Sequence, residues 1–422
     1  MRTTRRTFLM STAASVAATA KSQARIQRPA SDSVRVGVVG TGGRGSDLLR
    51  ALSTIDQVTI AAICDNYPPH LARGGEYAGP DAARFELLVR MLDEVKLDAL
   101  VIATPLHCHF EMSRIALERG LAVFCEKTLC RTIDEARQLK EEVEGRKALF
   151  QVGLQRRFNA VTRQARAMIQ AGMLGRIVAI HAQWHRNNDW RRPLPVTRDD
   201  PDWSIWDRRL NWRLYNDLSG GLMTELGSHQ LDLVNWFLGT PPCRVFATGG
   251  IDHHRDGRTV YDNLQCVYEY DAPAQPGDSD PGHVVRVAYS ALQSNAYQGA
   301  SELIQGTKGT LMITQKKGLF YREGSVDQET WLRGGRPEDA AAVITSGKTL
   351  KLDNDPWAFR GAPFELDAQG DDTRDELVSF VRRVAEGDTA TEADIQVAFE
   401  DCLTVLIANE SARQGVWVDY PG

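Results

Sequence analysis

The sequence predicts a two-domain α/β protein, with a doubly wound parallel sheet in the first domain and an antiparallel sheet in the second. Strand-like apolar runs alternate with helical patterns from residue 33 to about residue 153. From residue 154 the pattern changes, and five alternating runs between residues 243 and 330 are typical of antiparallel strands. A chain of 422 residues is long enough for two sizeable cores. We therefore divide the chain into residues 1–32, 33–153 and 154–422.

Composition and charge argue against several classes of function. The chain is 42% hydrophobic and 25% charged, and its net charge of −5 gives no reason to expect nucleic acid or an anionic membrane as a partner. Its seven cysteines are scattered without a CxxC pair, which argues against a disulfide framework and a structural zinc site. His107 and His109 are close in sequence but have no third ligand beside them, so we predict no metal site.

The first strand ends in a glycine-rich turn. The β-branched run that contains Val36 and Val38 stops at Gly40-x-Gly42-x-x-Gly45, and a helical pattern starts directly afterwards. The first glycine permits a tight turn, the second lets the backbone approach a pyrophosphate, and the third lets the helix pack against the strand. The free N–H groups of the helix N-terminus then face the phosphates. The turn predicts a dinucleotide-binding Rossmann domain; a glycine turn in another doubly wound sheet is the alternative.

The residues predicted to line this loop and to bind the cofactor are Gly40, Gly42, Gly43, Arg44 and Gly45.

Asp65 indicates which dinucleotide binds there. It ends the next apolar run and lies 20 residues after the last glycine of the motif. An acid at this position can bind the adenine-ribose 2′-hydroxyl and would repel a 2′-phosphate. We therefore predict NAD(H) as the cofactor, with NADP(H) less favoured.

Two further strands place polar side chains beside the cofactor. Residues 98–104 and 121–125 have the composition of buried parallel strands, and open parallel sheets bind ligands beyond the carboxyl ends of their strands. The turns after these strands therefore predict the nicotinamide half of the site. The residues placed there are Thr104, Pro105, His109, Glu126 and Lys127.

The second domain contains a long polar and aromatic stretch over residues 184–215. Five of the nine tryptophans fall within it, together with several arginines and asparagines. Indole faces suit the C–H faces of sugars, and arginine and asparagine suit hydroxyl groups. We predict that Trp184, Arg186 and Trp212, with Arg156 from the preceding stretch, contact a carbohydrate or polyol substrate. A subunit-contact loop would use the same residue types, and this alternative stays open.

One helix in the second domain is predicted to carry acid–base chemistry. At the helical period of 100° per residue, Glu225, His229, Asp232 and Trp236 share one face, and the opposite face is apolar. A carboxylate one turn from an imidazole can orient it and raise its basicity. We therefore predict Glu225, His229 and Asp232 as active-site residues; a solvated polar face is the alternative.

The rest of the chain gives shorter signals. Residues 271–282 are predicted to form a hairpin loop rich in proline, glycine and aspartate, and residues 324–361 an irregular excursion. Two amphipathic helices, over residues 373–386 and 392–414, are predicted to close the chain.

Four motifs, taken in order, resemble the glucose–fructose oxidoreductase, inositol dehydrogenase and rhizopine-catabolism (Gfo/Idh/MocA) family. They are Gly40-x-Gly42-x-x-Gly45, Thr104-Pro105 with His109, Glu126-Lys127-Thr128, and Gly220-Gly-x-x-x-Glu225-x-Gly227-x-His229-x-x-Asp232. The resemblance runs from about Ser33 to the C-terminal helices. It implies an N-terminal dinucleotide domain followed by an α/β domain with an open, mostly antiparallel sheet.

The resemblance also implies roles for single residues. Lys127 matches the lysine that contacts the reacting hydroxyl, and His229 matches the histidine proposed as general base. Glu225 stands where the family usually has aspartate, and Thr128 stands where it usually has proline. Neither departure removes the acid–base capacity.

These observations together predict an NAD-dependent oxidoreductase that acts on a secondary hydroxyl of a sugar, glycoside or cyclitol, assembled as a homo-oligomer. Two alternatives stay open. One is a redox-neutral, NAD-dependent glycoside hydrolase or lyase that keeps its cofactor, and the other is a sugar-binding member without turnover. Net formation of a ketone or NADH would indicate the dehydrogenase. Glycoside cleavage without net redox change would indicate the hydrolase or lyase, and ligand binding without either reaction would indicate the sugar-binding member.

The first 32 residues are predicted to be a leader. Thr4-Arg5-Arg6-Thr7-Phe8-Leu9-Met10 has the pattern of a twin-arginine signal, and the alanine-rich run after it is too short to span a bilayer. The twin-arginine route exports folded proteins, which predicts a periplasmic or otherwise extracytoplasmic protein with no membrane contact beyond the signal. Because no free NAD pool is expected there, we expect tightly bound NAD(H). A basic, disordered terminus is the alternative.

We expect the double change Arg5→Lys with Arg6→Lys to abolish export, because the export machinery reads the arginine pair. Cell fractionation and immunoblotting of the periplasm measure this directly. The matched control changes Arg25 and Arg28 to lysine, beyond the two predicted cleavage sites, Ala18-Thr19-Ala20 and Ser22-Gln23-Ala24, and should export normally. An unchanged periplasmic yield in the first variant would show that the leader is something else.

Overall fold

The computed structural model describes residues 33–273, 282–322, 364–367 and 369–422. The predicted leader and the excursion over residues 324–361 lie outside the described residues, as does most of the predicted hairpin loop. The described chain forms two sheets with helices packed against them. Within these ranges, no helix combines the length and the apolar composition needed to cross a membrane.

The first sheet has six parallel strands in the order β3-β2-β1-β4-β5-β6, which confirms the doubly wound prediction. The strands are β1 (Val34–Val39), β2 (Val58–Cys64), β3 (Ala83–Phe85), β4 (Ala99–Ile102), β5 (Ala122–Glu126) and β6 (Phe150–Gly153). Their apolar runs are continuous because helices cover both faces of a parallel sheet. The strand order reverses between β1 and β4, and ligands of such sheets bind in the crevice at that point.

Five helices connect these strands. They are α1 (Gly43–Leu52), α2 (Pro68–Ala78), α3 (Leu88–Glu94), α4 (His109–Glu118) and α5 (Ile133–Arg146). The start of α5 shows how the sequence sets such a boundary. The side chain of Thr132 accepts a hydrogen bond from the N–H of Glu135, whose carboxylate bonds back to the N–H of Thr132. The helix ends where Lys147 adopts a left-handed conformation.

The second sheet has nine strands in the order β14-β13-β12-β11-β7-β10-β9-β8-β15. They are β7 (Ile177–His185), β8 (Arg244–Gly250), β9 (Asn263–Pro273), β10 (Gly282–Leu292), β11 (Ala300–Gly306), β12 (Gly309–Thr314), β13 (Lys317–Arg322), β14 (Phe364–Asp367) and β15 (Val418–Asp419). Only β7 and β10 pair in parallel, so the sheet is mostly antiparallel, as predicted. Alternate residues of β9, such as Tyr268 and Tyr270, are buried beneath the helices on one face.

The helices that follow β6 are α6 (Ala160–Gln170), α7 (Trp203–Leu210), α8 (Ser228–Leu238), α9 (Asp372–Glu386) and α10 (Ile395–Gln414). A single π-helical turn, Met223–Gly227, leads directly into α8.

Helix α9 packs against the first sheet, although the division by chain order assigned it to the second domain. Its apolar stripe, Leu377, Phe380 and Val381, is buried in the same core as β1 and α1. The ring of Phe380 meets that of Phe124 on β5 edge-on, with ring centroids 5.7 Å apart. The amphipathic pattern predicts that a helix is buried but does not reveal which sheet buries it.

Candidate active site

A cavity of about 770 Å³ lies between the carboxyl ends of the first sheet's strands and the aromatic stretch of the second domain. It brings most of the predicted site residues together. Those that line it are Gly40, Gly42, Gly43, Arg44, Asp65, Thr104, Pro105, His109, Glu126, Lys127, Trp184, Arg186, Trp212, Glu225 and His229. Gly45, Arg156 and Asp232 do not line it. A second cavity of about 430 Å³ contains none of the predicted site residues.

The glycine-rich loop has the close approaches that its motif predicts. Gly40 has a φ of +85°, and a Cβ atom there would lie 2.6 Å from the carbonyl oxygen of Ala103. A Cβ at Gly45 would lie 1.8 Å from the carbonyl oxygen of Gly40, so a side chain would prevent α1 from starting so close to β1. A Cβ at Gly43, in the first turn of α1, would meet no atom within 4 Å. The helix N-terminus is therefore open to a phosphate.

Asp65 both faces the cavity and holds the loop. Its Oδ2 accepts a hydrogen bond from the backbone N–H of Thr41, and its Oδ1 accepts one from that of Tyr67, each at 2.8 Å. Burial works to raise the pKa of Asp65, but His70 and the two backbone N–H groups outweigh it and hold the pKa below its ordinary value. The side chain is therefore an anion at neutral pH, as repulsion of a 2′-phosphate requires.

Arg44 and Glu126, both predicted to touch the cofactor, bind each other. Arg44 Nε lies 2.7 Å from Glu126 Oε1, and its terminal nitrogens bind Glu376 Oε1 at 3.0 Å and Thr373 Oγ1 at 2.9 Å. Glu376 and Thr373 belong to α9, so this helix is joined to the cofactor loop by hydrogen bonds as well as by apolar packing. The two residues lie more than 300 positions after Arg44, and no local pattern in the sequence indicates them.

His109 joins two turns of the cofactor side. Its ring nitrogens lie 2.9 Å from the carbonyl oxygen of Thr128 and 3.0 Å from that of Thr104. Burial lowers the pKa of His109, so the ring is neutral and donates to one carbonyl at a time. The side chain lines the cavity and also fixes the turns after β4 and β5.

Lys127 reaches across from the first domain to the π-turn of the second. Its Nζ donates hydrogen bonds to the carbonyl oxygens of Thr224 at 3.1 Å and Glu225 at 2.9 Å. Thr128, which follows it through a cis peptide bond, donates from Oγ1 to the same Thr224 oxygen at 3.0 Å. Burial lowers the pKa of Lys127. Two of the three protons of Nζ are thus engaged, and the third is available to a ligand.

His229 is a buried imidazole without a hydrogen-bond partner. It is 7% exposed, and neither ring nitrogen makes a hydrogen bond within the described residues. Its ring packs against that of Trp184 with centroids 5.2 Å apart. Burial lowers the pKa of His229 well below its ordinary value, and the nearby positive charges of Lys127 and Arg156 lower it further. The ring is therefore neutral at physiological pH and free to accept a proton.

The two acids predicted to orient His229 bind arginines instead. Glu225 Oε2 accepts a hydrogen bond from Arg213 Nε at 2.7 Å. Asp232 is held by Arg157, whose Nε and terminal nitrogen lie 2.9 Å and 2.7 Å from Oδ1, and it is buried away from the cavity. The prediction assumed a regular α-helix through Glu225. A π-turn closes over five residues rather than four, which displaces Glu225 from the position beneath the imidazole.

Arg156, predicted to contact substrate, forms a buried ion pair with Glu302 on β11. Its two terminal nitrogens bind the two carboxylate oxygens, one of them at 2.8 Å, and both side chains are almost fully buried. This bidentate pair leaves it no role in the cavity wall, although its charge still acts on His229.

Several residues of the cavity were not predicted. Gln155 lines it, and its buried Oε1 has no partner. Arg209 of α7 lies over the rings of Tyr67 and Trp206, at 5.7 Å and 5.1 Å from their centroids, and donates to Asn66 Oδ1 at 3.2 Å. The aromatic stretch thereby covers the adenosine end of the cleft as well as the nicotinamide end. The sequence signal for Arg209 was its position between two tryptophans, but this position did not indicate Tyr67 as its partner.

Within the described residues, no group of three or more His, Cys, Asp or Glu side chains is arranged to hold a metal ion.

Two family models match the chain. Residues 34–154 match the model described as "Oxidoreductase family, NAD-binding Rossmann fold", and residues 162–312 match that of the GFO/IDH/MocA C-terminal domain. The first match and the glycine-rich loop confirm NAD(H) as the cofactor.

Among sequence relatives, rhizopine catabolism protein MocA of Rhizobium meliloti is 28% identical over 49% of this chain and 58% of its own length, so the match spans little more than half of it. Inositol 2-dehydrogenase 1 of Saccharopolyspora erythraea is 32% identical over 70% of this chain and 78% of its own. The 2,7-anhydro-N-acetylneuraminate hydratase of Mediterraneibacter gnavus is 25% identical over 65% of this chain and 66% of its own.

A solved structure has the same fold at low sequence identity. Levoglucosan dehydrogenase in complex with NADH superimposes with a TM-score of 0.70 at 17% identity, over 92% of this chain and all of that chain. The two family models lie in the expected order, and the inositol dehydrogenase match extends across both domains. The chain belongs to the GFO/IDH/MocA oxidoreductase family.

Proposed function

We propose that the protein is an NAD(H)-dependent oxidoreductase that acts on a secondary hydroxyl of a sugar, glycoside or cyclitol. The observation that carries the proposal is the convergence of Lys127, from the first domain, and His229, from the second, on one cavity. One is a partly buried ammonium with a free proton, and the other is a neutral imidazole without a hydrogen-bond partner among the described residues. This pair can polarise a hydroxyl and take its proton.

The cavity also fits the dinucleotide. The open first turn of α1 at Gly43 suits a pyrophosphate, and Asp65 suits a ribose hydroxyl. Two buried polar atoms at the other end, Thr104 Oγ1 and Gln155 Oε1, lack partners and suit the nicotinamide carboxamide. When bound there, NAD⁺ supplies the hydride acceptor for the carbinol carbon.

The protein's own side chains then move the proton. His229 accepts the hydroxyl proton as the C–H bond of the same carbon breaks, so the substrate loses one proton and one hydride and becomes a ketone. The third N–H of Lys127 donates a hydrogen bond to the reacting oxygen. Glu225 stays ionised and balances part of the positive charge around the cavity, since Arg213 and Lys127 outweigh burial and lower its pKa.

The wall of the cavity supports a polyhydroxylated substrate. Trp184 and Trp212 line the cavity, and the guanidinium groups of Arg186 and Arg213 lie over their respective rings. Such walls combine apolar faces with a few directed polar groups, which suits a sugar ring or a cyclitol. The names of the relatives, inositol dehydrogenase and levoglucosan dehydrogenase, agree with this class.

A redox-neutral activity is the second candidate, favoured by the hydratase among the relatives and by the covering of the cofactor cleft. In this scheme, oxidation of a ring hydroxyl acidifies the neighbouring C–H, a base removes that proton, and the leaving group departs. Water adds in its place, and the hydride then returns to the substrate, so no net oxidation occurs.

We also propose that the twin-arginine leader exports the protein to the periplasm. NAD(H) that stays bound there must be regenerated within each turnover, and a redox-neutral reaction does this. Homo-oligomerisation stays a prediction.

Purification from the periplasm, followed by release and mass identification of the bound nucleotide, tests the cofactor. A panel of free sugars, glycosides and cyclitols, analysed by mass spectrometry, then tests the reaction. We expect NAD(H) rather than NADP(H), and a product that is either two mass units lighter or cleaved. No conversion of any member, with ligand binding intact, would indicate a sugar-binding protein.

His229→Ala and Lys127→Ala should each lower kcat by roughly 10²- to 10⁴-fold, the usual range of acid–base assistance. Nucleotide binding should be largely kept. Because both side chains act on one hydroxyl, the double variant should lose less than the product of the two single losses. Steady-state kinetics with the substrate found in the panel measure these effects.

The matched controls are His181→Ala and Lys316→Ala, which change exposed residues outside the cavity and should leave kcat unchanged. A near-normal kcat in either cavity variant would remove that residue from the mechanism.

The acid and alkaline limbs of the pH profile of kcat/KM should each lie at a lower pH than the ordinary pKa values of histidine and lysine would give. His229 acts as a base only when neutral, and its pKa lies well below the ordinary 6.5, so the rate should hold as the pH falls through 6.5 and decline only below it. Lys127 acts when protonated, and burial lowers its pKa from 10.5, so the alkaline decline should begin below that pH. An acid limb centred above pH 6.5 would contradict the assignment of His229.

A further inference from the structure

The substrate wall holds a guanidinium group that binds no described protein group directly. Within the described residues, the side chain of Arg186 makes no hydrogen bond and no ion pair; it lies over the ring of Trp184, whose centroid is 4.8 Å away. Its backbone N–H is satisfied by the carbonyl of Leu292 at the end of the second sheet. The side chain lines the cavity and is half-buried.

Arg191 and Arg208 of the same stretch are paired, whereas Arg192 and Arg198, like Arg186, make no side-chain hydrogen bond or ion pair within the described residues. Arg191 binds Asp207 and Asp256, and Arg208 binds Asp217. An unpaired cation in a partly desolvated cavity carries a cost that an anionic ligand would remove. Burial lowers the pKa of Arg186, and the charge of Glu225 offsets only part of this effect.

A second arginine next to it is only partly used. Arg213 donates to Glu225 through Nε, and within the described residues its two terminal nitrogens make no hydrogen bond. Both guanidinium groups therefore lie near Glu225, and both keep N–H donors that no described residue accepts. On the second-domain side of the cavity, and apart from Arg209 at the adenosine end, Arg186, Arg192 and Arg213 line the wall with one acid, Glu225, whereas the whole chain carries a net charge of −5. The excess positive charge is thus local to this wall.

The dinucleotide does not account for this charge. Its pyrophosphate belongs at the N-terminus of α1, beside the glycine-rich loop, at the end of the cleft that contains Asp65. Arg186 instead lies over the ring of Trp184, which also packs against His229. A ligand atom that meets Arg186 is therefore close to the base that takes the hydroxyl proton, and we assign it to the substrate.

We infer that Arg186, assisted by the free nitrogens of Arg213, binds an anionic group of the substrate, so that the sugar is acidic: a carboxylate or a phosphate on the ring whose hydroxyl is oxidised. This inference rests on the proposed function for the identity of the substrate as a sugar. A guanidinium fork matches either anion through two parallel hydrogen bonds. The anion also fixes the orientation of the ring, and hence which hydroxyl faces His229 and Lys127.

Matched pairs of sugars test the inference. Titration calorimetry on the NADH-loaded protein compares D-glucuronate and D-galacturonate with D-glucose and D-galactose, and the 6-phosphates of the same two hexoses form the second arm. We expect at least one acidic member to bind about tenfold or more tightly than its neutral partner, since one charge-assisted hydrogen bond supplies at least that much. Preference for the sugar acid or for the sugar phosphate identifies the anion.

Arg186→Gln should reduce this preference by roughly 10- to 100-fold while NADH affinity is unchanged. Arg198→Gln is the matched control, because Arg198 also lies over a tryptophan of the same stretch, Trp203, but does not line the cavity. It should keep the full preference for the acidic sugar.

Equal or tighter binding of every neutral member, an unchanged preference in Arg186→Gln, or a matching loss of NADH affinity would each overturn the inference. Conversion of the same panel is followed by mass spectrometry. If neutral sugars are converted without any preference for acids, the inference fails and the oxidoreductase proposal stands. If neither these sugars nor the glycosides and cyclitols of the earlier panel are converted, the oxidoreductase proposal fails, and the binding preference still decides the anion site.

Discussion

The carbonyl oxygen of Thr224 accepts three side-chain hydrogen bonds, and the geometry of the candidate site depends on this atom. The donors are Lys127 Nζ at 3.1 Å, Thr128 Oγ1 at 3.0 Å and Ser228 Oγ at 2.9 Å. The first two come from the turn after β5 in the first domain, and the third is the first residue of α8. A π-turn opens a helix enough for side chains to reach its carbonyls. One carbonyl oxygen thereby fixes the position of Lys127 relative to the helix that carries His229.

Burial alone raises the pKa of Glu225 in the π-turn and lowers that of His229 in α8. It disfavours the charged form of both, but Glu225 has Arg213 and Lys127 beside it, and their charges lower its pKa below the ordinary value. The largest charge effects on His229 come from cations, so burial and charge both favour the neutral ring. At neutral pH the site therefore holds an ionised carboxylate and a neutral imidazole. Glu225 therefore contributes through charge balance, without touching the imidazole.

The fold was predictable because its signals are local, whereas the partners of the buried charges were not. A glycine turn at the end of an apolar run, or an alternating run between turn residues, lies within a few positions of sequence. Asp232 instead finds Arg157, 75 residues earlier, and Arg44 finds Glu376, 332 residues later. Periodicity placed Asp232 and Glu225 on one face correctly for a regular helix. It could not reveal the π-turn that displaces Glu225.

Glu225 also links the catalytic end of the cavity to the substrate wall. Its backbone carbonyl holds Lys127 at 2.9 Å, and its carboxylate holds Arg213 at 2.7 Å. An aspartate, the residue that the family usually has here, is one methylene shorter and would reach less far toward Arg213. The longer side chain turns an acid of the helix into a support for the arginine next to Arg186. In the proposed site, an anion bound by Arg186 and Arg213 and a hydroxyl bound by Lys127 would therefore both depend on Glu225, through its carboxylate and its backbone carbonyl respectively.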